Sequence, residues 1–200
     1  MGIYSFKPTF RKFLRPLKKL CIRLDLKPNH ITAAGLLISL ATGVVIYYSG
    51  QISVLLLLAP IGTILRLVLN ALDGMVAEEL KITSKFGEVL NEYFDRLSDI
   101  AIFVGLAFSK NVNNTLGLEA VVAVLLTSYI GIVGKAAGGR RQYGGFVGKA
   151  DRMLYLGIMS IIVFIYKKPE LWDYFLYFLI TGSALTIVQR WKAITMELKK

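Results

Sequence analysis

From residue 30 to residue 190 the chain runs in apolar blocks of about twenty residues, separated by short polar or basic joints. As α-helices, blocks of that length cross a hydrocarbon core of roughly 30 Å. The pattern predicts six spans, near 30–49, 52–77, 86–108, 116–137, 150–166 and 171–190. Ahead of them, residues 1–28 interleave eight Lys and Arg residues with a stripe of Phe6, Phe10, Phe13, Leu14, Leu17, Leu20, Cys21 and Leu24. That helical spacing predicts an amphipathic helix lying in the membrane interface. No soluble domain and no short repeat is evident, so 1–200 reads as one all-α membrane domain. Pro8, Pro16 and Pro28 leave no uninterrupted apolar core for a cleavable signal peptide.

Composition agrees with this picture and removes one alternative. The chain is 55% hydrophobic, with a mean hydropathy of +0.58 and a formal net charge of +11. In so apolar a chain, that charge points to the anionic face of a membrane and not to nucleic acid. Its placement is one-sided. The N-terminal segment, the 80–85 turn, the 135–152 loop and the C-terminus together carry 19 Lys and Arg residues, counted from Lys7 to Lys200. The opposite joints carry three, Lys110, Lys167 and Lys168. Positive charge stays inside, so both termini are expected in the cytoplasm of a multi-pass cell-membrane protein. An even number of spans agrees. Cys21 is the only cysteine, which excludes an internal disulfide.

The second and third spans break the apolar rule. Seven of the thirteen acidic residues fall between Asp73 and Asp99. Ionisable groups at membrane depth are costly and are retained where they act. Asn70 and Asp73 are three apart, and Asn91, Asp95 and Asp99 are each four apart, so each set shares one helix face. Two facing helices would present a ring of oxygen ligands to a hard cation such as Mg2+ or Mn2+. By the charge argument that ring is cytoplasmic, within reach of soluble nucleotides and lipid headgroups. Arg66, one turn before Asn70, is too deep for a topology charge and is expected to pair with a span-three carboxylate or face a substrate.

The run from Asn70 to Asp95 resembles the signature of the CDP-alcohol phosphatidyltransferases, D-x2-D-G-x2-A-R-x8-G-x3-D-x3-D. Asp73, Gly74, Ala77, Gly87 and Asp95 match with the full 26-position spacing. Asn70 and Asn91 stand where the signature has Asp, and Glu78 where it has Arg. The stretch Leu26-Lys27-Pro28-Asn29-His30-Ile31-Thr32 is similar to the family's approach to its first span. The resemblance implies transfer of a phosphatidyl group from a CDP-lipid such as CDP-diacylglycerol to an alcohol, with release of CMP, in phospholipid biosynthesis. It implies Asp95 as general base and Asn70, Asp73 and Asn91 at metal-ligand positions, with Asp99 able to restore a charge one turn on. It implies a CDP-lipid site around Asp73, Gly74, Ala77, Gly87 and Arg66, and a homodimer. Glycerol phosphate, inositol phosphate, inositol and serine all remain open as acceptors. Two other classes also remain open. One is a degenerate member that binds CDP-lipid without turnover. The other is a small cation-coupled transporter.

The 135–152 loop combines glycines, which let a backbone pass close to a ligand, with cations that clamp phosphate. Arg140, Arg141, Lys149 and Arg152 are therefore candidates for binding the acceptor or the donor's pyrophosphate, against the plainer reading of topology charge. Glu78 and Glu88 are weaker helpers, and Arg96 is expected to pair with an acid. His30 reads as interfacial. Trp172, Tyr174, Tyr177 and Trp191 read as interfacial anchors of the sixth span, and Gly182 with Ser183 as a close-packing point.

Overall fold

The computed structural model describes residues 7–110 and 112–199. Phe6 of the amphipathic stripe and Lys200 of the C-terminal cations lie outside the described residues, and so does the Lys7 side chain. Two short helices, α1 (Lys7–Phe13) and α2 (Arg15–Arg23), stand where one interfacial helix is expected. Six long helices follow: α3 (Pro28–Ser49), α4 (Ala59–Glu79), α5 (Lys85–Ala107), α6 (Asn114–Ala136), α7 (Lys149–Tyr166) and α8 (Leu171–Leu198). A 3-10 turn at Ser53–Leu57 leads into α4.

Local chemistry marks the helix starts. Pro28 opens α3 where its missing N–H costs nothing. Ser84 caps α5 by accepting from Gly87 N at 3.0 Å, and Asn113 caps α6 by accepting from Leu116 N at 3.2 Å. Asp151 reaches back to accept from Gly148 N at 3.0 Å and fixes the start of α7.

Helix α3 packs on α4 and α5, α5 on α6, α6 on α8, and α7 on α4 and α8. The α3–α5 crossing is close enough to need glycine. A Cβ on Gly43 would sit 2.2 Å from the Ala101 carbonyl oxygen, and one on Gly105 would sit 2.2 Å from the Gly43 oxygen. Small residues let two backbones touch, which is how helices gain packing in lipid. The main core includes Ile102, Phe103, Leu106, Leu156, Leu176 and Leu179. A second cluster, Leu14, Ile31, Leu72, Met75 and Val76, ties the α1–α2 junction to α3 and α4. Many large apolar side chains, among them Leu37, Ile61, Val122 and Ile165, point outward, as a lipid-facing surface requires.

Among the described residues, four helical stretches are long and apolar enough to cross a membrane: Pro28–Ser49, Ser53–Glu79, Asn114–Ala136 and Leu171–Leu198. Helices α5 and α7 fall short because their N-terminal parts carry charge, from Lys85 to Asp99 in one and Lys149 to Arg152 in the other. Two details of α8 differ from the sequence reading. Trp172 is turned inward at 3% exposure, edge-on to Phe175, whereas Tyr174, Tyr177 and Trp191 face outward. The tight neighbours of Gly182 are Val147 and Phe146 of the α6–α7 loop and not another helix.

Candidate active site

The polar residues of α3, α4, α5 and α7 meet at one end of the bundle. Asp73, near the end of α4, is 5% exposed. Its Oδ2 accepts from Asn91 Nδ2 at 2.6 Å and Thr32 Oγ1 at 2.9 Å, and its Oδ1 accepts from Gly74 N at 2.6 Å. Asp95, nearly three turns into α5, is 8% exposed. Its Oδ1 accepts from Asn70 Nδ2 at 3.1 Å and from the Lys149 ammonium at the head of α7. Its Oδ2 lies 4.0 Å from Arg96. Each asparagine of the variant signature therefore caps the carboxylate on the opposite helix.

Asp99 is held differently. It is fully buried, and Arg66 donates to its Oδ1 at 2.6 Å. Arg152 donates to its Oδ2, and Arg96 lies 3.7 Å from the same oxygen. Arg66 also donates to the Asp95 carbonyl oxygen at 3.1 Å, and Arg152 to Ser128 Oγ at 3.0 Å. Three guanidiniums around one carboxylate form a knot linking α4, α5, α6 and α7. The structure does not place Asp99 with the oxygen ring.

The basic loop divides in two. Arg141 pairs with Glu92 and lies 4.4 Å over the Tyr143 ring, beside the cluster. Arg140 points away: its side chain is 93% exposed and 3.8 Å from Glu197. Glu88 pairs with Lys135, and Glu78, in the signature's arginine position, pairs with Arg11 of α1. Several buried guanidinium nitrogens have no hydrogen-bond partner among the described residues: Nε of Arg66, Arg96, Arg141 and Arg152, and Nη1 of Arg66 and Arg96. Buried donors without acceptors are costly, so they mark where an anion would be welcome.

Between these groups lies a cleft lined by Thr32, Arg66, Asn70, Asp73, Asp95 and Ser98, with Ile31, Gly35, Leu36 and Phe94 as its apolar wall. A Cβ on Gly74 would meet nothing within 4 Å, so the backbone there lies open to a ligand. Asp73, Asp95 and the amide oxygens of Asn70 and Asn91 are the hard oxygen donors a divalent cation takes. Two of the four carry charge. No group of three or more His, Cys, Asp and Glu able to hold a metal occurs among the described residues.

Residues 26–191 match the model of the family described as CDP-alcohol phosphatidyltransferase. The chain belongs to this family. It is thus a membrane phosphotransferase. It is 36% identical over 97% of its length to the Escherichia coli inner membrane protein YnbA, covering 94% of that protein. It is 28% identical to the phosphatidylinositol phosphate synthase of Corynebacterium glutamicum, over 95% of this chain and 87% of the other. Its fold is that of the Mycobacterium tuberculosis phosphatidylinositol phosphate synthase, solved in complex with manganese and citrate. The TM-score is 0.76 at 24% identity, covering 90% of this chain and 87% of that one. The same enzyme with CDP-DAG bound gives 0.75, covering 90% and 92%.

Three residues in and around this transferase's site escaped the sequence reading. Thr32 sits inside the quoted Leu26–Thr32 stretch, yet nothing in the sequence marks it as a donor to Asp73. Glu92 is an acid among many. Arg190, 6% exposed, holds the basic loop by donating to the Gly144 and Tyr143 carbonyls at 2.8 and 3.0 Å and to that of Thr127. In the sequence Arg190 closes the sixth apolar block beside Lys192, so it reads there as one more cytoplasmic cation.

Proposed function

We propose that this transferase moves a phosphatidyl group from CDP-diacylglycerol to a phosphate-bearing polyol, with inositol phosphate the leading candidate. In this reading all six long helices span the membrane. Both termini and the cleft face the cytoplasm, α1 and α2 lie in the interface, and the protein works as a homodimer. The cation asymmetry supports the orientation, the family resemblance supports the dimer, and the names of the corynebacterial and mycobacterial relatives support the acceptor.

The observation that carries the proposal is the pairing of an anionic and a cationic wall. Asp73 and Asp95 face the cleft from α4 and α5. Arg141, from the basic loop, pairs with Glu92, one turn before Asp95 on α5, and keeps a buried Nε unpartnered. An uncharged polyol such as inositol has no need of that second wall, whereas a phosphate matches it.

Asp95 acts as general base. Lys149 and Asn70 hold its Oδ1, which leaves Oδ2 to take the proton from the acceptor hydroxyl. The hydroxyl oxygen bonds to the phosphorus attached to the lipid, and the bond from that phosphorus to CMP breaks. Asp73 and the amide oxygens of Asn70 and Asn91 would hold Mg2+ or Mn2+, which would neutralise charge on a pyrophosphate, with Asp95 at the edge of that oxygen ring. Gly74 leaves the α4 backbone accessible to the nucleotide, Ala77 and Gly87 keep the small residues of the signature, and Arg66 braces Asp95 through its carbonyl oxygen. Asp99 is not a ligand here, because both its oxygens are taken by guanidiniums.

The test incubates the purified protein with CDP-diacylglycerol, Mn2+ or Mg2+, and inositol phosphate, glycerol phosphate, inositol or serine, reading CMP. Release is expected with the phosphorylated polyols, inositol phosphate foremost. Equal release with inositol or serine would overturn the acceptor assignment, and no release with any of them would overturn the donor.

A further inference from the structure

The carboxylates around the cleft differ in what balances them. Asp99 is matched by Arg66 and Arg152, Glu92 by Arg141, and Asp95 by Lys149. Asp73 has neutral partners only: the Thr32 hydroxyl, the Asn91 amide and the Gly74 N–H. Among the described residues it makes no ion pair. The nearest cation acting on Asp73 is Lys149, which is in contact with Asp95 and not with it. A buried charge without a contacting counter-charge is expensive, so a further cation is most welcome on the Asp73 side.

We infer that Lys149 is the resident cation of the Asp95 half of the cleft, so that the transferase takes a single divalent ion, on the Asp73 half. The lysine side chain is 23% exposed, and its ammonium meets the same Asp95 oxygen that accepts from Asn70. Its backbone is fixed by the helix start, where Asp151 accepts from Gly148 N. A fixed ammonium on Asp95 opposes a divalent ion there by direct repulsion. The two asparagines complete the arrangement. An Asp at 70 beside Asp95 would add a charge that Lys149 alone does not balance, whereas the amide donates to Asp95 and adds none. Lys149 is thus a positioning residue for Asp95 and a determinant of metal stoichiometry.

The inference rests on the reading that this cleft holds a divalent ion, and its test separates the two. Mn2+ binding to the full-length protein in detergent is counted by electron paramagnetic resonance of the free ion. The expected count is one Mn2+ per chain for the native protein and for Lys149→Arg, which keeps the charge. Lys149→Met should bind Mn2+ about tenfold more tightly, because a nearby like charge is gone. Combining it with Asn70→Asp should admit a second ion. Asn70→Asp alone, with Lys149 in place, should stay at one, and this variant decides the matter if Lys149→Met fails to fold. Two ions in the native protein or in Asn70→Asp alone, or unchanged affinity in folded Lys149→Met, would overturn the inference and leave the metal reading intact. No bound Mn2+ in any variant would overturn both.

Discussion

Asp95 and Asp99 are the same residue type on the same face of α5, one turn apart, and the chain treats them in opposite ways. Asp95 keeps one oxygen toward the cleft and is held at the other by a lysine and a neutral amide. Asp99 has a guanidinium on each oxygen and a third close by, and it is wholly buried. Charge count does not separate them, since both are paired. Free valence does. A carboxylate with one open oxygen on a cleft can take a proton or an ion, whereas one enclosed by three guanidiniums can only hold helices together. Burying ions is repaid only when every partner is present. Asp99 therefore serves α4, α6 and α7 at once, through Arg66, Ser128 by way of Arg152, and Arg152 itself.

The most severe way to break this comparison is Asp95→Asn. It keeps shape and removes the proton acceptor, so CMP release should fall by roughly 10²–10⁴-fold. The thermal unfolding midpoint in detergent should fall less than for Asp99→Asn, because the Lys149 ammonium is partly exposed whereas Arg66 and Arg152 are almost wholly buried. Near-native turnover would remove Asp95 from the role of base. Asp99→Asn should reverse the pattern. It leaves Arg66 and Arg152 buried without a counter-charge, a defect that costs about 3–5 kcal/mol. The midpoint should drop sharply, and at low temperature the folded fraction should still bind Mn2+ with native affinity. Weaker Mn2+ binding in the folded protein would return Asp99 to the ligand set.

Much of this contrast is invisible along the chain. The apolar blocks foretell where α3 to α8 run, and signature spacing puts Asn70, Asp73, Asn91 and Asp95 on facing stripes, because helical periodicity is a local property. Which cation meets which acid is not local. Lys149 and Asp95 are far apart in sequence, as are Arg152 and Asp99, and their partners are chosen by the way α7 crosses α4 and by the α6–α7 loop that Arg190 straps down. Asp99 looks like a further ligand in sequence because period alone cannot show that Arg66 has already claimed it. Trp172 looks like an interfacial anchor for the same reason, yet it packs inward on Phe175.

A smaller effect sharpens the comparison on the cationic wall, where Arg140 and Arg141 are adjacent in sequence and unlike in surroundings. Arg141 is 14% exposed at its side chain, pairs with Glu92 and has a buried Nε without a partner. Arg140 is almost wholly exposed and reaches only Glu197 at 3.8 Å. If the loop binds an acceptor phosphate, the guanidinium with spare buried donors is the one that contacts it. Arg141→Ala should then raise the KM for the phosphorylated acceptor by an amount equivalent to about 1.5–3 kcal/mol, the worth of a charge-assisted hydrogen bond. The KM for CDP-diacylglycerol should change far less. Arg140→Ala should shift neither by more than the ~1 kcal/mol an exposed pair contributes. Equal effects from the two substitutions would mean that the loop acts through its overall charge, which is the behaviour of a topology signal. A KM change confined to CDP-diacylglycerol would instead assign Arg141 to the donor's pyrophosphate, and the acceptor's phosphate would then have to be held elsewhere on the wall.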